Sequence, residues 1–155
     1  MFDKILVALD RSERSPIVFK QALEIASAPT SKMLLFHCLD WDAERAQPLF
    51  GVGTLGDIKM TPGPGLRHES LQKDLEQVRQ WLEDYRQQAL SCGIVAELKS
   101  PVGSPGARIC EQARHWGAAV IVLGRRGRRG LSEVLLGSVS SYVVHHADCS
   151  VLIVQ

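Results

Sequence analysis

The chain has 155 residues, enough for one domain that buries roughly 70% of the surface its unfolded form exposes. Hydrophobic residues make up 45% and charged residues 23%, a balance that excludes the disordered and fibrous classes. A formal net charge of +1 excludes a general attraction to nucleic acid or to an acidic membrane, so any polyanion would have to be held locally.

The N-terminus reads MFDKILVALD. Asp3 and Lys4 stand where a signal peptide needs its apolar stretch, and no apolar run approaches ~20 residues. A cytoplasmic address is therefore expected, without membrane contact. KILVALD itself is a nearly continuous apolar run, the pattern of a strand buried on both faces of a parallel sheet. Ser15 as N-cap and Pro16 in the first turn then open a helix whose buried face is expected to carry Ile17, Phe19, Ala22, Leu23 and Ala26. KMLLFHCL supplies a second buried strand.

Residues 41–67 are rich in Gly and Pro without a sustained period, and read as a long mobile loop. They include GVGTLG at 51–56, which matches the dinucleotide fingerprint G-x-G-x-x-G letter for letter. That fingerprint needs a strand directly before it and a helix directly after, because the pyrophosphate rests on the helix N-terminus. DAERAQPLF precedes it and DIKMTPGPG follows, so it reads as loop.

From about Glu69 a long amphipathic helix is predicted, with Leu71, Leu75, Val78, Leu82 and Tyr85 on one stripe and Gly93 as its stop. IVAELKS is a third strand. Ser104 and Pro105 begin a helix through GARICEQARHW, which Gly117 ends, and AAVIVLG is a fourth strand. Val139, Tyr142 and Val143 mark a short helix before the closing strand CSVLIVQ. Strands alternating with helices at this spacing predict a three-layer, Rossmann-like α/β domain over residues 1–155, with a parallel sheet. Cys38, Cys92, Cys110 and Cys149 show no zinc spacing and read as buried, reduced thiols. His37, His145 and His146 read as structural, and Trp81 and Trp116 as packing residues on helices.

Ligands of open parallel sheets bind beyond the carboxyl ends of the strands, where the strand order reverses. Asp10, Cys38 to Asp40, and Gly124 to Gly127 would all reach that edge. Gly137 and Ser138 precede the short last helix, where outward amides and a positive dipole end suit phosphate. No G-x-x-x-x-G-K-[ST] phosphate loop is present.

The segment GRRGRRGLSEVLLGSVS places Gly124, Gly127, Gly137 and Ser138 in the pattern G-x2-G-x9-G-[ST]. Together with ILVALDRSERS, LLFHCLD, GAAVIVLGRRGRRG and CSVLIV, it resembles the ATP-binding branch of the universal stress protein family over nearly the whole chain. The resemblance implies a five-stranded parallel sheet, a homodimer paired through the C-terminal strand, an unidentified protein partner, and an adenine nucleotide (ATP, ADP, AMP or cyclic AMP) as ligand. A triphosphate would bring Mg2+ with it. Ala8 and Asp10 would flank the adenosine, Asp10 accepting from the ribose hydroxyls, and Cys38 would meet adenine through its backbone. Leu123, Gly124, Arg126 and Gly127 would lie along ribose and phosphates, with Gly137, Ser138, Val139 and Ser140 closing over the phosphate chain.

Three features depart from the family's pattern: Ala119 where Asp is frequent, Ser150 where Pro is common, and a dense set of arginines at 125, 126, 128 and 129. Those arginines have three readings: a solvated loop, a phosphate clamp centred on Arg126, or a nucleic-acid contact, the last lacking interleaved aromatics. The functional reading is a nucleotide-binding regulatory protein. A slow ATPase or self-phosphorylating enzyme using Ser138 or Ser140 is the alternative, although no general base is paired with a nucleophile. A dimerisation module with a dead site is a third class, against which the complete glycine motif argues.

Overall fold

The computed structural model describes residues 2–40, 64–125 and 136–155. Its elements in chain order are β1 (Lys4–Ala8), α1 (Ser15–Ile25), β2 (Lys32–Phe36), α2 (Pro64–Ser91), β3 (Val95–Lys99), α3 (Pro105–Trp116), β4 (Val120–Gly124), α4 (Ser138–His146) and β5 (Ser150–Val154). The five strands form one parallel sheet in the order β3-β2-β1-β4-β5. The expected α/β architecture is the one observed.

Alternation along each strand divides the core between the two faces of the sheet. Ile5, Val7, Met33, Leu35, Val120 and Val122 turn to one face, where Val18, Phe19 and Ala22 of α1 and Val78, Leu82 and Ala89 of α2 cover them. Leu6, Leu34, Phe36, Ile121 and Leu123 turn to the other, beneath Ile109, Cys110 and Ala113 of α3 and Val143 of α4. Because both faces are covered, β1, β2 and β4 are apolar at every position but the leading Lys4 and Lys32, as such burial requires.

Two helices differ from the sequence reading. In α1 the buried stripe is Ser15, Val18, Phe19 and Ala22, and Ile17 is half exposed. Ser15 is the first helical residue rather than the cap, which is Arg14. Its hydroxyl is within reach of the Asp10 carboxylate at 3.2 Å, and this partner lets a serine occupy the buried phase of the helix. Helix α2 begins at Pro64, five residues before the expected start, because a proline at the first helical position gives up only an amide that would have no intrahelical partner. Residues 64–67 are thus helix and not loop, while 41–63, including GVGTLG, lie outside the described residues.

Helices α3 and α4 pack closely at Gly106, where an added Cβ would stand 2.8–3.0 Å from the Cδ1, Cγ and Cβ atoms of Tyr142. Gly106→Ala gains helix propensity but forces this pair apart. The net result should be a loss of about 1 kcal/mol, measured by urea denaturation. Among the described residues no helix is long and apolar enough to cross a membrane.

Candidate nucleotide site at the carboxyl edge of the sheet

Strand order reverses between β1 and β4, the neighbours that lead to opposite halves of the sheet. Their register pairs Ala8 with Leu123, so Asp10 and Gly124 emerge at the same edge. A crevice opens at such a switch point because the following segments leave toward opposite faces.

Asp10 is held in a tight turn. Its Oδ1 accepts from the Ser12 amide at 3.0 Å, the Ser12 hydroxyl at 2.6 Å and the Ser15 hydroxyl at 3.2 Å. All three bonds go to one oxygen, leaving Oδ2 outside them. Arg11, between Asp10 and Ser12, takes φ 60°, the left-handed region that a side chain normally avoids.

Cys38 lies just beyond β2. The amides of His37 and Leu39 donate to Lys99 and Pro101 on the β3 side. Alternation along an extended chain therefore turns the Cys38 backbone the other way, toward β1. Its thiol is buried, donates to the Gly103 carbonyl at 3.3 Å, and has its pKa pushed up to about 11 by burial and then by the Asp40 charge, against the opposing pull of Arg108. Cys38 is consequently a packing and backbone residue here, and its thiol stays protonated at neutral pH.

The cysteines are not all buried as expected: all four are free, but Cys92 is exposed and Cys149 half-buried. Alkylation of the native protein at pH 8 should modify Cys92 first, with Cys38 protected until unfolding, as read by peptide mass mapping. Because folding raises the Cys38 pKa above its ordinary 9.0, its contribution to stability is complete below pH 9 and is lost as pH rises toward 11.

The other wall is the junction of β4 and α4. Gly137 is the N-cap of α4, and Ser138 is its exposed first residue. The Gly137 amide, expected to face outward, donates instead to the Arg125 carbonyl at 2.9 Å. Ser141 is the first residue to donate back into the helix, at 2.9 Å to Gly137. The amides of Ser138, Val139 and Ser140 therefore have no partner inside the helix and stand at its positive end.

Ser140 is 2% exposed, and its hydroxyl lies 2.8 Å from the Arg125 carbonyl and 3.0 Å from that of Gly137. This hydroxyl pins the first turn of α4 to the end of β4, which removes Ser140 as an accessible phosphate acceptor. The Nε of Arg125 is enclosed without a hydrogen-bond acceptor among the described residues. Neither Gly124 nor Gly137 uses a positive φ; among described glycines only 93, 103 and 117 do. Arg126, Gly127, Arg128 and Arg129 lie outside the described residues.

Sequence reasoning passed over Ser12, and read Ser15 only as a cap and Trp81 as a packing residue, which it is. Asp-x-Ser after a strand is the signal of a side chain closing on the amide two residues on, and it was present in DRS. Trp81 announced itself only as an aromatic on an amphipathic helix. It meets the His37 ring edge-on at 5.5 Å and the Tyr85 ring at 5.4 Å, and the Arg11 guanidinium stands 6.0 Å above its centre.

A sequence model of the universal stress protein family matches residues 1–155. A universal stress protein of Synechocystis is 40% identical over 157 aligned positions, covering 99% of this chain and 98% of its own. A solved protein of Methanocaldococcus jannaschii superposes with a TM-score of 0.82 at 24% identity, covering 99% of this chain and 96% of that one. Further solved family members superpose in complex with cAMP (TM-score 0.64, 23% identity, 99% and 97% covered), with dAMP from Archaeoglobus fulgidus (0.64, 21%, 98% and 97%) and with AMP from Arabidopsis thaliana (0.65, 20%, 97% and 90%). With the predicted sheet, the strand-end aspartate and the Gly-Ser helix start all in place, the chain belongs to the universal stress protein family.

Proposed function

We propose that this chain binds an adenine nucleotide at the β1/β4 edge and acts as a regulatory, stress-response protein of the cytosol. One observation carries the reading: the switch point brings the Asp10 carboxylate, whose Oδ2 takes no part in the bonds to Ser12 and Ser15, to the same edge as the amides at the α4 N-terminus. A carboxylate suits vicinal hydroxyls and a helix start suits phosphate, and a nucleotide carries both. The family members solved with cAMP, dAMP and AMP support it.

In this reading Ala8 and Leu123 floor the crevice, Cys38 offers its backbone to the base, and Gly124, Arg126 and Gly127 line the ribose and phosphates. Ser138 and Val139 give amides to the phosphates, and Ser140 holds the helix start in position. Among the described residues no group of three His, Cys, Asp or Glu is placed to hold a metal ion. A Mg2+ accompanying a triphosphate would take its ligands chiefly from the phosphates and water. Isothermal titration with AMP, ADP, ATP and cAMP tests the proposal, alongside mass analysis of nucleotide retained on purification. Absence of both heat and retained nucleotide overturns it.

The two sheet edges favour a homodimer through β5. On β3, Glu97 and Lys99 are exposed, and a self-paired β3 would oppose Glu97 to itself. Strand β5 carries Val151, Leu152 and Ile153, all half-buried and without charge. Leu152→Lys is expected to move the protein from dimer to monomer mass in light scattering, and a wild-type monomer would refute the pairing.

A further inference from the structure

Arg11 is the one non-glycine residue with positive φ among those described, and it directly follows the proposed ribose carboxylate. A strained residue persists only where its surroundings over-determine it. Two constraints do so here. The Asp10 Oδ1 bonds to Ser12 close the turn, and the Arg11 guanidinium stands over the Trp81 ring. A guanidinium about 6 Å from an indole centre is attracted by the negative face of the ring.

Trp81 is itself fixed from the other side. His37 meets it edge-on, and the His37 Nδ1 donates to the Leu9 carbonyl at 2.7 Å, one residue before Asp10. The tails of β1 and β2 are thus joined directly by the His37–Leu9 bond, and the indole carried on α2 touches both, at His37 and at Arg11.

We propose that Trp81 and Arg11 are positioning residues for Asp10: the indole holds the guanidinium, the guanidinium holds the left-handed turn, and the turn presents Oδ2 to a ribose. This inference rests on the nucleotide reading above. Its consequence is selective. Disturbing the turn costs only what the ribose hydroxyls contribute, and leaves the base and phosphate contacts alone.

The test is titration of AMP and of 2′,3′-dideoxy-AMP into the wild type and into Trp81→Leu, Trp81→Phe, Arg11→Ala and Trp81→Leu/Arg11→Ala. Trp81→Leu and Arg11→Ala should each weaken AMP about tenfold while changing the dideoxy analogue less than about twofold. Trp81→Phe, which keeps an aromatic face, should recover most of the AMP affinity. The double variant should lose no more than either single one, because both act through one turn. Equal losses for the two ligands, or no loss in Arg11→Ala, whose exposed side chain makes misfolding no explanation, overturn the positioning role. A wild type that binds neither ligand refutes instead the nucleotide reading itself.

Discussion

Asp10→Ala is expected to weaken AMP binding by about tenfold to hundredfold in isothermal titration, and to lower stability by about 1–2 kcal/mol. The first figure follows from removing the proposed charged acceptor of ribose hydroxyls at a half-buried edge. The second follows from the Ser12 amide and the hydroxyls of Ser12 and Ser15, which all close on Oδ1 and would lose their acceptor together. Asp10→Asn separates the two effects. It keeps a carbonyl oxygen for the Ser12 amide, so stability should largely return, while loss of the charge leaves the ribose contact weakened. If asparagine restored AMP affinity along with stability, Asp10 would be a turn residue and nothing more.

The fold was legible in the sequence wherever burial is two-sided. KILVALD and AAVIVLG are apolar at consecutive positions because helices cover both faces of β1 and β4, and nothing but a buried strand fits such short runs between helices. The phase of α1 was harder. Ile17 looks like a core residue and Ser15 does not, yet Ser15 is 1% exposed and Ile17 50%. Hydrophobicity predicts burial only where polar atoms lack partners, and the Asp10 carboxylate supplies Ser15 with one. The start of α2 was missed for a related reason: Pro64 and Gly65 read as loop by composition, although the first turn of a helix tolerates both.

The site was legible as a place more than as a set of contacts. Strand-end position and glycine spacing located Asp10, Gly124 and Gly137, because both are properties of the chain order. The direction of the Gly137 amide and the burial of Ser140 were not legible. They depend on how closely α4 approaches the end of β4, a distance no single residue encodes. Trp81 lay further still from recognition, since the role proposed for it arises only when α2 brings it against a turn 70 residues earlier in the chain.

Ser140→Val should cost about 2–3 kcal/mol, a fall of roughly 5–10 °C in Tm by calorimetry for a chain of this size. The hydroxyl that bridges the Arg125 and Gly137 carbonyls is lost, and a second methyl must enter a slot that is already full. The effect on ligands should be graded by phosphate. Adenosine, which carries no phosphate to meet the α4 N-terminus, should keep most of its affinity, whereas AMP should weaken about tenfold as the amides of Ser138 and Val139 move from their positions. Ser140→Thr retains the hydroxyl and should retain the preference for AMP over adenosine even where it costs stability. Were Val to weaken adenosine and AMP alike, the clamp would be supporting the whole crevice rather than aiming a helix end at phosphate. The graded loss is the outcome expected under the nucleotide proposal, because the Ser140 hydroxyl bonds the end of β4 to the first turn of α4.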